Sequence, residues 1–350
     1  MIRSHRSLAL LLAFTAIVSA LPTSAQAQEA RRRWERMCQI RAEKFDLVLP
    51  TVLQDNDIDM WIVVMREGKL DPLWEALGRG YVGDWAYYVF TDQGDRAHRA
   101  AFAEAGEMSR EIAERAFSNE VITPGVTTLE DVAWWMWDQL LARGLDSSFD
   151  MPSVYVTGPE GIVATSTDRI IQRGDLLMID WGVGFLDFYT DMKRIAYVLK
   201  EGETEAPAGL RHAFDQAVKV RDVMKATIAP APTAKIALER TEAALREAGF
   251  NLVPFNQPSA DPALTDVVLG PHSVGNWGHG IGPSLAFFNP TRQTYELRPG
   301  TLISVELFAY TANPDWGGRK VRIPLEDDAV VTQRGVEWLY PVNRRILLIK

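Results

Sequence analysis

The amino-acid sequence predicts an α+β protein whose sheets are mainly antiparallel. Helical and strand-like patterns follow one another in blocks, an order that favours α+β over a doubly wound parallel sheet. The 350 residues are 47% hydrophobic, which allows one full core and a smaller second one. No solenoid repeat or low-complexity tract interrupts the pattern. These observations predict two domains of unequal size.

The chain begins with the pattern of a secretory signal. Arg3 and Arg6 precede an apolar run at 8–21, and Ala-Gln-Ala at 25–27 is typical of a cleavage site. The apolar run is shorter than the ~20 residues that a membrane-spanning helix needs. We therefore expect residues 1–27 to be a signal peptide and the mature protein to be exported, periplasmic or secreted, and free of the membrane.

Charge and cysteine content exclude other classes of protein. The formal net charge of -9 and a pI near 5.2 argue against nucleic-acid binding, because phosphate backbones require clustered Lys and Arg. Cys38 is the single cysteine, so no disulfide can form within the chain.

The leading domain is predicted to be a small α/β unit at 28–97. Apolar positions at 31–54 have helical spacing, and Met60–Met65 and Tyr87–Phe90 resemble short strands. A cluster of turn residues at 91–95 follows, and we place the domain boundary there.

The larger domain, 98–350, is predicted to alternate blocks of helices and strands. Thr128 is suited to cap a helix whose first turn carries Glu130 and Asp131. The last hundred residues are rich in strands. Helices are predicted at 98–117, 127–143, 208–228 and 234–248, and earlier strands at 154–157, 176–181 and 188–199.

Two predicted hairpins bring acidic residues together. Directly opposed positions of an antiparallel pair have a constant sum of residue numbers. With 182–186 as the connection, a register centred between Phe185 and Leu186 sets Asp180 opposite Asp191. With 313–318 as the turn, a register centred on Trp316 sets Glu306 opposite Glu326.

Such opposed carboxylates repel and need compensation. A protonated acid or a nearby Arg would suffice, but four acids on apolar strands favour bound cations. His279, within Gly-His-Gly-Ile-Gly at 278–282, adds a candidate nitrogen ligand. Taken singly, each acid is more often solvated, and a lone His is more often a hydrogen-bonded core residue.

Several other enzyme signatures are missing. The glycine run lacks the Lys-Ser/Thr ending of a phosphate-binding P-loop, and the sequence contains neither HExxH nor GxSxG. Single-zinc proteases and serine hydrolases of the usual types are thereby disfavoured.

In order, these residues resemble the family of methionine aminopeptidase, aminopeptidase P, prolidase and creatinase. The resemblance runs from about Ala97 to the C-terminus and implies the pita-bread fold, with a shortened N-terminal domain. The motifs that carry it are 174–182 around Asp180, Thr190-Asp191 with Lys193-Arg194, 278–282 around His279, Ser304-Val305-Glu306, and Glu326-Asp327-Asp328.

The resemblance implies two divalent metal ions. Asp180 would bind one, Asp191 and Glu326 would bridge both, and His279 and Glu306 would complete the other. Carboxylate and imidazole ligands suit manganese, our first expectation, and also zinc, cobalt or iron. The implied reaction is hydrolysis of an amide by a metal-bound hydroxide, with Glu306 or a neighbour moving the proton.

The sequence departs from the family at two positions. The family's peptidases usually hold a His about seventeen residues before the first Asp, where this chain has Ile-Val-Ala-Thr at 162–165. A second His usually follows the loop His by about seven residues, where Leu-Ala-Phe-Phe stands at 285–288. His272 is a candidate proton carrier in their place, or a structural residue. Arg322 resembles the family's Arg near the last Glu, or is a salt-bridge partner for the acids.

The leading hypothesis is a metallo-aminopeptidase that acts on short, Xaa-Pro-like peptides. Two alternatives remain open, a degenerate member that binds metal or peptide without turnover, and a hydrolase of a non-peptide amide. Relatives with the longer N-terminal domain often form dimers, so a homodimer is also considered.

Overall fold

The computed structural model divides the chain into two compact units, Met1–Arg99 and Ala100–Lys350. Most of the predicted signal peptide lies outside the described residues. Within the described part, no helix has the length and apolar character needed to cross a membrane. The structure describes residues 23–58, 60–66, 69, 71–74, 86–91, 100–185, 188–275 and 280–350.

In its described residues, the first unit contains two helices and one antiparallel strand pair. Helices α1 (Thr23–Leu47) and α2 (Leu49–Asp55) replace the single predicted helical stretch. The two predicted strands, β1 (Met60–Met65) and β2 (Ala86–Thr91), are present and form an antiparallel pair. Val63 is buried with Trp61 packed beside it, so this unit has a small core of its own.

Four helices of the second unit confirm the predicted ones. Thr128 caps its helix, since its side chain accepts from the Asp131 backbone N–H at 3.1 Å while Asp131 Oδ2 accepts from the Thr128 N–H at 2.8 Å. This reciprocal capping satisfies two of the free N–H groups at the helix start. The helices are α3 (Ala100–Ala116), α4 (Leu129–Arg143), α5 (Ala208–Thr227) and α6 (Ala234–Glu247).

A five-stranded sheet forms the first half of this unit, in the order β17-β8-β5-β3-β4. All neighbours are antiparallel except β17 and β8, which are parallel. A short pair, β6 and β7, extends the β5–β8 hairpin. The strands are β3 (Ser153–Gly158), β4 (Gly161–Val163), β5 (Leu176–Trp181), β6 (Gly184–Phe185), β7 (Phe188–Tyr189), β8 (Met192–Val198) and β17 (Leu347–Ile349).

Two four-stranded sheets form the second half, in the orders β14-β13-β10-β9 and β11-β12-β15-β16. Only β9 and β10 are parallel neighbours here. The strands are β9 (Asn251–Leu252), β10 (Asp266–Leu269), β11 (His272–Ser273), β12 (Leu302–Ser304), β13 (Leu307–Ala312), β14 (Lys320–Leu325), β15 (Asp328–Thr332) and β16 (Gly335–Trp338).

Two stretches of chain belong to both of these sheets. One passes from β12 to β13 at Val305 and Glu306, and the other passes from β14 to β15 at Glu326 and Asp327. The Val305 N–H donates to the Asp327 carbonyl at 3.0 Å and so joins the two crossing points. The predicted glutamates therefore lie side by side where both strands change sheets.

The helices cover one face of each sheet, and the acidic residues occupy the other. Leu177, Ile179 and Trp181 of β5 are fully or almost fully buried in a core shared with α3 and α4. Likewise, Leu307 and Ile323 pack in a core with α5 and α6. Because side chains alternate along a strand, the even-numbered neighbours of these residues, such as Asp180 and Arg322, face away from the helices.

The predicted register of the first hairpin is wrong by two residues. Asp180 pairs with Lys193 rather than with Asp191, because the same register continues through Gly184↔Tyr189 to Phe185↔Phe188. Glycine is required at 182, where an added Cβ would lie 1.8 Å from the Thr190 carbonyl oxygen. A two-residue shift keeps every side chain on its face, so Asp191 stays on the face of Asp180.

The register of the second hairpin is confirmed. Leu307 pairs with Leu325 and Ala312 with Lys320, which sets Glu306 and Glu326 at the next opposed position. The turn contains the 3-10 segment Pro314–Trp316.

Candidate active site

A lysine ammonium lies at the centre of the predicted carboxylate cluster. Lys193 Nζ is 3.1 Å from Asp180 Oδ2 and 2.7 Å from Glu306 Oε1. It also forms an ion pair and hydrogen bond with Glu326. The Lys193 side chain is only 4% exposed. The structure thus brings these three predicted ligands together around an ammonium that the sequence interpretation had not assigned a role.

His272 joins the cluster from strand β11. Its Nε2 atom lies 3.4 Å from Glu326 Oε1 and 3.8 Å from Asp191 Oδ2. The backbone of His272 pairs with Ser304 in the neighbouring strand, and its ring Nδ1 lies 3.1 Å from the Ser273 carbonyl oxygen. His272 was predicted as a proton carrier or a structural residue, and the structure places its Nε2 atom beside two of the predicted metal ligands.

Neighbouring groups contact Glu326 and the segment around Asp191. Ser304 Oγ donates to Glu326 Oε1 at 2.7 Å. The backbone N–H of Asp191 points at the Asp328 carboxylate, 3.3 Å away, and Tyr340 donates its hydroxyl proton to the same carboxylate at 2.9 Å. Such supporting contacts fix the orientation of carboxylates that bind metals.

A glycine makes room for Glu306. The Gly270 N–H donates to the Glu306 carbonyl at 3.0 Å, and a Cβ built on Gly270 would lie 2.3 Å from Glu306 Oε2. The carboxyl group therefore lies directly over the glycine backbone, in space that any larger side chain would take.

Burial and the crowding of charge shift the pKa values of the cluster. Burial raises the pKa of Glu306 to about 7, against the opposing effect of Lys193. Burial opposes ionisation of Glu326 as well, but Lys193 and His272 outweigh it and lower the pKa of that carboxyl to about 2. Burial and the neighbouring Glu326 raise the pKa of Asp191 well above its usual value. Glu326 is consequently the firm anion of the group, while Glu306 exchanges a proton near neutral pH.

Lys193 stays charged in this environment. Burial by itself would lower its pKa, but the surrounding carboxylates, Asp180 foremost, raise it well above the ordinary value. The group at the centre of the cluster is therefore a permanent cation at neutral pH.

Arg322 and a set of aromatic rings lie beside the cluster. Glu306, Phe308 and Arg322 share the inner face of the β13–β14 hairpin. The guanidinium carbon of Arg322 is 4.3 Å from the centroid of the Phe308 ring and 5.4 Å from that of Phe255. These are cation–π contacts rather than the predicted salt bridge to the acids.

The rings continue toward the surface. Phe255 stacks on Phe287 at 4.8 Å, and Phe287 meets Phe288 edge-on at 5.1 Å. Phe288 in turn lies 5.7 Å from the His272 ring. With Phe287 43% exposed and Phe288 37% exposed, an apolar wall reaches from the cluster to solvent.

A second layer of charge lies behind the cluster. Arg194 and Asp327 point away from their neighbours Lys193 and Glu326, because side chains alternate along a strand. The Arg194 guanidinium is 2.9 Å from Asp327 Oδ1, and that of Arg221 is 3.3 Å from Asp327 Oδ2. All three side chains are at most 2% exposed.

The residues present fit one metal ion more readily than two. Asp191, His272 and Glu326 each offer a ligand atom, and these atoms lie within 4.8 Å of one another. Small movements would bring them to the ~2 Å ligand distances of a divalent ion. Between Asp180 and Glu306, however, the Lys193 ammonium fills the space that a second ion would use. His279 lies outside the described residues, so its predicted role stays a prediction.

The sequence held a usable signal for Lys193, which had been given no role. Lys193 follows Asp191 by two positions, so strand alternation places the two side chains on one face. His272 was named as a candidate proton carrier, but nothing in the sequence around it indicated metal binding. At the positions of the usual family histidines, Val163 is exposed and Ala286 is buried, and neither can carry a proton.

Antiparallel hairpins thus converge on a buried cluster of carboxylates, one lysine and one histidine. The chain belongs to metallopeptidase family M24, which matches residues 100–333, and its fold is the pita-bread fold.

Known proteins are similar to this chain in sequence or in fold. An uncharacterised peptidase, YqhT of Bacillus subtilis, is 25% identical over 257 residues, which cover 69% of this chain and 62% of the relative. The X-Pro aminopeptidase of Thermotoga maritima superposes with a TM-score of 0.53 at 19% identity, covering 86% of this chain and 78% of that one. The prolidase of Pyrococcus horikoshii gives 0.50 at 20% identity, covering 70% and 63%. The chain therefore spans less than two thirds of the length of the curated relative.

Proposed function

We propose that this chain is a metal-dependent peptidase that hydrolyses an amide bond in short peptides. One observation carries the proposal, namely that Asp191, His272 and Glu326 offer ligand atoms within 4.8 Å of one another in a member of family M24. These three residues would hold a divalent ion, with manganese our first expectation and zinc, cobalt or iron as alternatives. When bound, the ion would polarise the scissile carbonyl and make water more acidic.

Glu306 is the candidate proton carrier of the reaction. Its pKa of about 7, raised by burial, lets the carboxyl group accept a proton from water and return it to the leaving amine. Lys193, 2.7 Å from Glu306 Oε1, orients that carboxyl group. His272 is assigned to metal binding in this proposal rather than to proton transfer.

An N-terminal amine and a small apolar residue match the surroundings of the site. Asp180 is the most exposed of the clustered carboxylates, with 24% of its side chain accessible, so it is the acid that a peptide's amino group reaches first. The ring wall of Phe255, Phe287 and Phe288 offers a flat apolar surface to a proline ring. Together these features support an Xaa-Pro aminopeptidase.

Arg322 favours substrates that are short. Its guanidinium is stacked on Phe308, which leaves the fork of N–H groups as a candidate binding site for a carboxylate. A peptide of a few residues would place its C-terminal carboxylate within reach of this group, whereas a protein chain would not.

A second candidate is a member of the family that binds peptides without turnover. The specific observation in its favour is that Val163 and Ala286 stand where relatives usually hold histidines. Hydrolysis of a non-peptide amide stays a further alternative. Export rests on the composition of residues 1–27 and is part of the proposal, as is a homodimer.

The test is a comparison of substrates with and without metal. Purified protein, stripped of metal and then reconstituted with manganese, zinc, cobalt or iron, would be assayed against Xaa-Pro peptides of two to six residues and against a panel of non-peptide amides. We expect metal-dependent release of the first residue of the shortest peptides. Peptide binding without any product would favour the second candidate, and turnover of the other amides alone would favour the third.

A further inference from the structure

The Lys193 ammonium lies among several carboxylates, as a bound metal ion would, and not at the protein surface. Its ammonium contacts three carboxylates that come from three different strand segments, namely Asp180, Glu306 and Glu326. A surface lysine typically meets one acid in water and gains little from it. Three buried carboxylates typically surround a bound cation, and here the ammonium occupies that position.

The backbone fixes this position. Lys193 pairs directly with Asp180 across the β5–β8 hairpin, and its N–H donates to the Glu326 carbonyl at 3.2 Å. The ammonium also lies 5.6 Å from the centroid of the Phe308 ring. The side chain thus enters the cluster because of its place in the strand.

Space limits what else the cluster can hold. An ion bound by Asp180 and Glu306 at ~2 Å from each oxygen would overlap the ammonium, which lies 3.1 Å and 2.7 Å from the same two oxygens.

We infer that the Lys193 ammonium takes the place of a second metal ion, so that the site holds at most one divalent ion, at Asp191, His272 and Glu326. Only the presence of that first ion rests on the proposed function. The replacement of the second ion by an ammonium rests on the geometry of Lys193 alone.

The experiment counts bound metal. Wild-type protein and the Lys193→Met variant would be dialysed to equilibrium against manganese, and the metal per chain measured by elemental analysis. We expect one ion per wild-type chain and two per variant chain. The electron paramagnetic resonance spectrum should show an isolated manganese in the wild type and a magnetically coupled pair in the variant.

A matched control and a second variant keep the result interpretable. Lys320→Met removes another buried lysine, paired with Asp266 at 2.6 Å outside the cluster, and should bind as many ions as the wild type. Lys193→Gln retains a polar stem and serves if Lys193→Met does not fold. Because the wild-type count needs no variant, it stands by itself.

The outcomes separate this inference from the proposed function. Two ions per wild-type chain would overturn the inference, as would equal counts in the wild type and both Lys193 variants. A wild-type chain that binds no metal while the Lys193 variants do would support the inference and overturn the metal-dependent function.

Discussion

His272 Nε2 lies 3.4 Å from Glu326 Oε1, a separation that suits two ligands of one ion better than a free proton carrier. His272→Ala should therefore lower manganese affinity by at least tenfold, because loss of a ligand weakens a three-residue site. Isothermal titration calorimetry on both proteins would measure the change.

The matched control for this substitution is His212→Ala. His212 is exposed on α5 and should bind manganese as the wild type does. If His272→Ala kept full metal affinity but lost turnover, His272 would be a proton carrier, as the sequence had suggested.

Gly270 sets the position of Glu306. In Gly270→Ala the new methyl group would lie 2.3 Å from Glu306 Oε2. The carboxyl group must therefore move, whereas we expect the backbone to keep its position. We expect a loss of at least tenfold in kcat with a small change in melting temperature. Gly158→Ala, where an added Cβ meets nothing within 4 Å, is the control. Equal kcat in both variants would remove Glu306 from its proposed role.

Asp327 forms ion pairs with two buried guanidinium groups. Asp327→Asn would leave Arg194 and Arg221 without a counter-charge, which typically costs about 3–5 kcal/mol. Urea unfolding at neutral pH would measure this loss, with the exposed Asp215→Asn as control. A loss below about 1 kcal/mol would show that water or another acid compensates these arginines.

Asp266 should make stability depend on pH. Burial opposes its ionisation, but hydrogen bonds from Lys320, Asn251 and Ser259 outweigh burial and lower its pKa. Because the folded pKa is lower than the unfolded value of about 3.9, its stabilisation is present above that value and is lost as pH falls through the folded pKa.

Asp266→Asn should accordingly destabilise the protein more at pH 7 than at acid pH, where the wild-type carboxyl group gains a proton. The measurement is the difference in the free energy of unfolding between the two proteins across that range. A difference that stays constant with pH would contradict the assignment.

The sequence predicted elements well where local chemistry decides them. Thr128 and Asp131 form the capping pair that their spacing indicates, and the turn around Trp316 sets the second hairpin in register. The register predicted for the first hairpin was wrong because a shift by two residues preserves the alternation of apolar and polar positions. The apolar pattern of the strand that contains Asp191 therefore could not distinguish the two registers.

The candidate site was predicted in outline but not in its charge balance. Asp180, Glu306 and Glu326 do converge. Which cation they surround depends on how far a lysine side chain reaches across neighbouring strands, and strand spacing does not reveal that. His272 entered the cluster for a similar reason, since its neighbour Ser304 lies more than thirty positions away in the chain.

Lys193 also bears on how the polypeptide reaches its native state. Crowded carboxylates would oppose assembly of the three strand segments until something neutralised them. Because the neutralising ammonium is part of strand β8, it arrives with Asp180 as soon as the β5–β8 hairpin closes. Folding would then not require a metal ion, and an ion would bind after the cluster has formed.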